Sequence, residues 1–276
     1  RSTGFSWNTE FNISQNRNEV TEVNDSIAAG LGQSWVIQGQ PLGVFFGYKT
    51  NGLYRSNEEI CKSSTRTGCT DAQGPFQSSR TAPGDIRFVD VDGNGRINAQ
   101  DRAVIGSPWA DWTGGWTNRL AVGGLDLTVF THFSLGNDIY NANRIYTDGY
   151  GSGFDNNSDR ALDRWTPENP NASEPRATFS DANANTRDSD RFVEDGSFVR
   201  LKNVVLGYGL PTSMAGRIGV RSARIYVQGE NLATWTDYSG FDPEVNFAGD
   251  TGVTRGVDFY TLPQARTISI GLNLGL

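Results

Sequence analysis

The feature that most limits how this chain can fold is a two-residue repeat of apolar and small polar side chains, clearest at residues 267–276. The apolar residues Ile268, Ile270, Leu272, Leu274 and Leu276 alternate with Thr267, Ser269, Gly271, Asn273 and Gly275. Successive side chains of a β-strand point to opposite faces. The repeat therefore predicts a strand with one apolar face and one face of small polar groups.

Together with similar repeats elsewhere, this segment brings the predicted long strands to seven. They cover residues 5–13, 43–54, 111–122, 125–136, 197–210, 221–232 and 267–276. Strands of soluble domains typically hold about five or six residues, so these are unusually long. A membrane barrel accounts for both the length and the two faces, because one face meets lipid and the other meets a wet lumen. We therefore predict an all-β fold, an antiparallel transmembrane β-barrel portion of about seven strands with long extracellular loops.

The connections between these strands are unequal in length. Gly123-Gly124 is a two-residue hairpin signal, and residues 211–220 form another short link. Residues 55–110, 141–196 and 233–263 are long. Counting strands backwards from the C-terminus puts all three long connections on one side, which is the outer-membrane pattern. The medium-long connection 17–42 is the exception, because the same count places it on the periplasmic side.

Composition excludes several classes of function. The net charge is −7, so a nucleic-acid surface is not expected. The single histidine, His132, rules out His-rich zinc sites and leaves little room for Ser/His/Asp catalysis. The acids of segment 237–244 lie in a loop-like stretch where solvated or turn-forming carboxylates are usual, so we expect no enzyme. No run of about 18 apolar residues forms a membrane helix. No signal peptide begins the chain, so we expect a mature or truncated start.

Residues 90–101, DVDGNGRINAQD, match the spacing of a calcium-binding loop. The expected ligands are the side chains of Asp90, Asp92, Asn94, Asn98 (through a water) and Asp101, with the backbone carbonyl of Arg96. Gly95 would supply the sharp turn and Ile97 would anchor the loop. Position 12 is Asp101 rather than Glu, and a strand-like segment precedes the loop. We predict a structural Ca²⁺ that shapes the external loop 55–110; the alternative is an Asx-rich turn without metal.

Two cysteines, Cys61 and Cys69, lie in the polar segment CKSSTRTGC. This pattern favours a short disulfide loop in an oxidising compartment, while the alternative is two unpaired thiols. A redox-active pair normally has the closer spacing C-x-x-C.

Aromatic residues of the loops could stack on sugar rings. They are Trp109, Trp165, Trp235 and Tyr238. For each residue alone, loop packing or an interfacial aromatic belt is the favoured interpretation. Trp7 and Trp116 lie within predicted strands and are better belt candidates. His132 lies on the polar face of its strand, where we expect a lumen-facing wall residue.

Five segments occur in an order that closely resembles one transporter family. They are GQPLGVFFGYKTNGLY, GDIRFVDVDGNGRINAQDRAVIGSP, FVEDGSFVRLKNVVLGYGLP, ENLATWTDYSGFDPEVN and LPQARTISIGLNLGL. The whole chain, residues 1–276, resembles the C-terminal part of SusC/RagA-type TonB-dependent outer-membrane transporters. The resemblance implies a barrel of about 22 strands with an N-terminal plug, a TonB-box segment and a SusD-type surface lipoprotein that captures glycans or oligopeptides. The chain ends on Leu276, where the family usually has an aromatic residue.

The resemblance implies a nutrient importer in the bacterial outer membrane. This chain would supply the C-terminal wall and loops, without catalysis. Its partners would be the remainder of the barrel and plug, a SusD-like lipoprotein, TonB through the missing N-terminal part, and outer-membrane lipid. Seven strands cannot close such a barrel, so we expect a fragment or one piece of a split transporter. The alternative is a secreted calcium-stabilised β-domain of an adhesin or surface layer.

Overall fold

The computed structural model describes residues 4–64, 68–150, 156–249 and 252–276. The strands in these ranges are β1 (Ser6–Ser14), β2 (Ile27–Ala29), β3 (Ser34–Val36), β4 (Val44–Tyr48), β5 (Thr50–Leu53), β6 (Ile86–Phe88), β7 (Arg102–Gly106), β8 (Trp112–Val122), β9 (Leu125–Leu135), β10 (Asp138–Asn141), β11 (Val193–Asp195), β12 (Phe198–Gly209), β13 (Ser222–Thr236), β14 (Val257–Asp258) and β15 (Thr267–Gly275). Two short helices are α1 (Asn143–Thr147) and α2 (Thr212–Arg217). None of the described helices has the length and apolar character needed to cross a bilayer.

Six long strands form one antiparallel sheet in the order β1-β8-β9-β12-β13-β15. We call this sheet the wall; its strands are 9 to 15 residues long. The all-β prediction and the antiparallel arrangement are confirmed. Across the described residues the sheet remains open, and the outer edges of β1 and β15 pair with no further strand of the wall. Unpaired edges of this length need partner strands, as expected for a portion of a larger barrel.

The two faces of the wall differ as the sequence repeat predicts. On β15, Ile268, Ile270 and Leu272 are 70%, 75% and 60% exposed. In register beside them, Ile225 and Val227 of β13 continue the same apolar face. The opposite face carries Thr, Ser, Asn, Gly and charged residues. Large apolar side chains left uncovered on a well-paired sheet are what a lipid-facing surface requires.

One predicted strand does not belong to the wall. Residues 43–54 form β4 and β5, which lie in two small separate sheets, β2-β3-β4-β7 and β5-β6. Val44 and Phe45 are fully buried, whereas a wall strand would expose one face. Gly43 has a positive φ of 72° that fixes a turn before β4. The wall therefore has six strands of this chain rather than seven.

This correction removes the exception in the loop count. With β1 paired directly to β8, residues 15–111 are one long connection. It leaves the same end of the wall as residues 136–197 and 237–266, while 123–124 and 210–221 turn at the other end. All long connections of the wall thus share one end. We call these three connections the loop cap.

The loop cap has its own core. Phe45, Tyr140, Ala142, Phe192 and Val257 form a buried cluster that draws on all three connections. The short sheet β11-β10-β14, which includes a parallel pair, ties the second connection to the third. A second cluster of Leu53, Ile86 and Phe88 lies within the first connection.

Strand β13 runs to Thr236, four residues beyond the predicted end. Its pairing with β12 shifts register between Glu230 and Ala233, and Asn231 has a positive φ of 52°. This is a β-bulge, which adds a residue to one strand and breaks the two-residue repeat. The repeat therefore predicts the strand only as far as the bulge.

Candidate functional site

Charged side chains cross the polar face of the wall near the end with short turns. The Arg224 guanidinium donates from Nε to Oδ1 of Asp126 at 2.9 Å and from Nη2 to Oδ2 at 2.5 Å. It reaches over Gly207 of the intervening strand, where an added Cβ would lie 2.5 Å from Arg224 Cζ. Arg119 and Glu10 form a second pair, 2.5 Å apart. The polar face therefore presents fixed charges to the space it borders.

At the loop end of the wall, a buried arginine of β12 binds carboxylates of the third connection. Arg200 of β12 is 1% exposed and donates from Nη2 to Oδ1 of Asp242 at 2.5 Å. Its Nη1 lies 3.0 Å from Oε2 of Glu244, which also accepts from Lys202 at 3.1 Å. The Asp242 carboxylate further accepts the backbone N–H groups of Glu244 and Gln264, both at 2.8 Å. We call these groups the Arg200 network.

Burial by itself raises the pKa of the Asp242 carboxyl. The hydrogen bond from Arg200 and the two backbone N–H groups outweigh that effect, so the pKa lies below its ordinary value. Asp242 therefore stays ionised at neutral pH. Both Asp242 oxygens and both terminal nitrogens of Arg200 have partners, although the buried Arg200 Nε has none, and this buried ion pair holds the loop in one geometry.

A second ionic group orders the middle connection. Arg144 of α1 bridges Asp148, at 2.7 Å, and Glu194, at 3.0 Å. Arg191 pairs with Glu174 at 2.6 Å. Burial raises the pKa values of the Asp148 and Glu194 carboxyls, but their hydrogen bonds and nearby arginines outweigh it, and both pKa values are lowered. These carboxylates serve as anchors of the loop cap.

The calcium-motif residues converge in the first connection. Carboxylate oxygens of Asp90, Asp92 and Asp101 lie within 4.8 Å of one another. Asp90 accepts the N–H groups of Gly93, Asn94 and Gly95 at 2.7–3.1 Å. The loop follows β6, as the sequence predicts. Ile97 packs against the cluster of Leu53, Ile86 and Phe88, which confirms its anchoring position.

The remaining motif positions take part in turns. Asn94 Oδ1 accepts the Arg96 N–H at 2.9 Å, and Asn98 Oδ1 accepts the Gln100 N–H at 2.8 Å. Asn98 caps the 3₁₀ turn Ala99–Asp101, and the Asp101 carboxylate in turn accepts the Asn98 N–H at 2.7 Å.

The donor set fits a hard cation. Asp101 is fully buried, and its two oxygens accept the N–H groups of Val91 and Asn98. Within the described residues no Lys or Arg forms an ion pair with Asp90, Asp92 or Asp101. Three carboxylates at this spacing, uncompensated by a side-chain cation, are the oxygen-rich chemistry that Ca²⁺ takes.

Cys61 and Cys69 form a disulfide, with their Cα atoms 5.4 Å apart. Cys61 is buried. The bridge closes a short loop whose residues 65–67 lie outside the described ranges. It is the pairing that the sequence favours over two free thiols.

Three of the four loop aromatics serve packing. Trp109 donates from Nε1 to the Leu42 carbonyl at 2.6 Å, and half-buried Trp165 packs on the Leu53 cluster. Tyr238 is buried and donates its hydroxyl to Asp258 at 2.6 Å. Trp235 differs: it is 59% exposed at the loop end of β13.

The belt candidates and the histidine lie on the faces that the sequence predicts. Trp7 and Trp116 are exposed on the apolar face of the wall. Each indole N–H binds a polar group on the neighbouring strand: Trp7 donates to Asn118 at 3.0 Å, and Trp116 to Thr9 at 2.7 Å. His132 lies on the polar face, edge-on to Phe198 at 5.6 Å.

The Arg200 network is the part of the site that sequence reasoning misses. The signal was present, since Arg200 and Lys202 place two charges in the largely apolar predicted strand 197–210. Their partners lie about 40 residues away in the chain, and sequence alone does not pair them.

No family model matches the chain. It is 35% identical over 284 residues to TonB-dependent receptor P3 of Formosa agariphila, covering 98% of this chain and 27% of the relative. It is 33% identical to receptor P26 of the same organism, over 99% of this chain and 27% of that protein. TonB-dependent receptor SusC of Bacteroides thetaiotaomicron is 26% identical over 98% of this chain and 24% of its own length.

Solved structures share the fold. A structure of the RagAB peptide transporter matches 99% of this chain and 28% of the solved chain, with a TM-score of 0.74 and 22% identity. The RagAB peptide importer in its open-open state gives a TM-score of 0.73 at 21% identity, over 100% of this chain and 27% of the other. The chain spans about a quarter of the length of the relatives it matches, consistent with a C-terminal portion. Over nearly its whole length the chain is similar to TonB-dependent receptors, which are proteins of the bacterial outer membrane, and it is consistent with a C-terminal fragment of the SusC/RagA type.

Proposed function

We propose that this chain forms wall and external loops of an outer-membrane nutrient importer that takes up glycans or oligopeptides. The observation that carries the proposal is the wall itself: one exposed apolar face, one polar face, and every long connection at one end. Its relatives are named receptors and transporters rather than enzymes, which supports a role without catalysis.

The two faces of the wall, its edges and the loop cap each have a proposed role. The apolar face contacts outer-membrane lipid, and the polar face lines the lumen beside the plug. The remaining barrel strands pair with the free edges of β1 and β15. The loop cap contributes to the docking surface for a SusD-like lipoprotein, and TonB engages the part of the receptor outside this chain.

Uptake by cells tests the proposal. The receptor that contains this chain should import fluorescent oligopeptides or oligosaccharides when it is expressed with its lipoprotein and TonB. Import should stop when TonB is absent. Receptor-dependent uptake that is equal with and without TonB would contradict an energised importer.

Detergent dependence separates this function from a secreted β-domain. We expect the isolated chain to aggregate without detergent, because the apolar face of the wall would meet water. A monodisperse, detergent-free sample would favour the secreted domain.

We also propose that the loop 90–101 binds a structural Ca²⁺. Three converging carboxylates, which have no cationic partner in the part of the chain that the structure describes, support it. Chelation, or the double substitution Asp90→Asn and Asp92→Asn, should speed proteolysis of the loop 55–110. The control Asp25→Asn removes one carboxylate from an exposed loop and should change nothing. If added Ca²⁺ gives the wild-type loop no extra protection, the Asx-rich turn without metal is the correct interpretation.

A further inference from the structure

A cavity of about 490 Å³ lies where the polar face of the wall meets the loop cap. Its wall side consists of Thr113, Ser134 and Phe198, which are neighbours in register on β8, β9 and β12. All three connections of the loop cap supply the rest. The volume falls within the range of about 300–1,000 Å³ typical of small-ligand pockets.

Two charged side chains line this cavity, and only one is neutralised. Glu244 already has Arg200 and Lys202 at 3.0 and 3.1 Å. Arg255 is exposed and has no hydrogen-bond or ionic partner among the described residues. The charge left for a ligand in the cavity is therefore positive, although the chain as a whole carries −7.

The Arg255 guanidinium is nonetheless held in place. Its Cζ lies 5.2 Å from the ring centre of Trp109, a cation–π contact. Trp109 is itself fixed by its hydrogen bond to the Leu42 carbonyl. Contact with a ring face leaves the N–H donors of a guanidinium free to bind a carboxylate in bidentate fashion.

The same cavity offers an acceptor. Asn246 lines it, and its buried Oδ1 has no hydrogen-bond partner. A buried carbonyl oxygen without a partner is costly, and a ligand hydroxyl or amide N–H would satisfy it.

We propose that this cavity is a cargo subsite that binds a carboxylate on Arg255, with a hydroxyl or amide donor of the same cargo on Asn246. The inference rests on the proposed import function and narrows its cargo to molecules with a free carboxylate. Two sources supply that chemistry: the C-terminus or acidic side chain of an oligopeptide, and the uronate of an acidic oligosaccharide.

Matched ligand pairs test the subsite in the complete receptor, purified in detergent. The pairs are an oligopeptide with its C-terminal amide, and an oligogalacturonate with its methyl ester. Calorimetry should show tighter binding of the acid in at least one pair. That pair identifies the source of the carboxylate.

Substitutions assign the effect to Arg255. Arg255→Gln should weaken binding of the acid by about tenfold or more and leave its neutral counterpart unchanged. Arg255→Lys keeps the positive charge but loses the bidentate guanidinium, so its affinity for the acid should lie between those of wild type and Arg255→Gln. The control Arg221→Gln removes an exposed arginine at the opposite end of the wall and should bind as wild type.

Equal affinity for acid and neutral forms in both pairs, or an equal loss of both with Arg255→Gln, would overturn the subsite. The import function stands if TonB-dependent uptake persists in that case. Loss of TonB-dependent uptake for every cargo would reject the function itself.

Discussion

Removing the Arg200 guanidinium should release the third connection of the loop cap. The substitution Arg200→Met keeps a similar length of side chain but leaves the Asp242 carboxylate without its buried cation. Breaking one partner of a buried ion pair costs about 3–5 kcal/mol, because an uncompensated charge stays behind. At about 1.4 kcal/mol per tenfold change, the local opening equilibrium should shift by at least about 100-fold.

Hydrogen exchange at two backbone amides measures this shift in the opening equilibrium directly. The N–H groups of Glu244 and Gln264 both donate to Asp242 at 2.8 Å, so their protection depends on the docked loop. We expect their protection factors to fall by about 100-fold in the full receptor, while amides at the centre of β12 stay protected. Lys202→Gln is the matched control: Lys202 is one-third exposed, and its loss should cost no more than about 1 kcal/mol.

A double substitution makes the reasoning refutable. In Arg200→Met with Asp242→Asn, neither charge of the pair remains, so much of the protection should return at the Glu244 amide, whose acceptor Oδ1 an asparagine keeps. The Gln264 amide loses its acceptor in this variant, because asparagine carries an NH2 group in place of Oδ2. A fall of less than tenfold in the single variant, or no recovery in the double variant, would show that the Arg200 network does not hold the loop.

The remaining predictions concern acidity and the wall. The pKa of Asp242 is lowered in the folded protein, so its ionised carboxylate stabilises the docked loop above the ordinary pKa of 3.8, and this stabilisation is lost as pH falls through the folded pKa. Acid should therefore open residues 237–266 to proteolysis. An unchanged cleavage rate below pH 3.8 would contradict this. Ile270→Lys places a charge on the lipid face and should cost about 2–4 kcal/mol in urea unfolding from lipid vesicles, whereas Ser269→Lys, one residue away on the lumen face, should be tolerated. Gly114→Ala would bring a Cβ to 2.5 Å from the Phe133 ring and against the backbone of β1, which should cost about 1–3 kcal/mol in the same assay. Gly216→Ala is the control, because nothing lies within 4 Å of the added Cβ, and it should not destabilise the protein. Equal stability of the two variants in either pair would refute the assigned faces or packing.

The sequence predicts five wall strands and most of a sixth with good accuracy, because lipid on one side and water on the other impose a two-residue repeat that neither packing nor ligands disturb. The prediction fails at residues 43–54 because that segment does not separate lipid from water. That segment is buried in the loop cap, where Val44 and Phe45 pack on neighbouring loops rather than on lipid. It fails again at the bulge of Asn231, where one added residue shifts the repeat.

By itself the sequence determined the faces of the wall strands, placed three long connections at one end, favoured the Cys61–Cys69 pairing and indicated the convergence of the acidic loop 90–101, because each depends on residues close in the chain. The tertiary structure alone decided what joins distant segments: Arg200 with Asp242, 42 residues apart, and the cavity in which Trp109 and Arg255 meet. Loop sequences have no periodic pattern from which the contacts of their side chains could be predicted. Their positions follow from the closing of three long connections over one end of the wall, which local spacing does not encode.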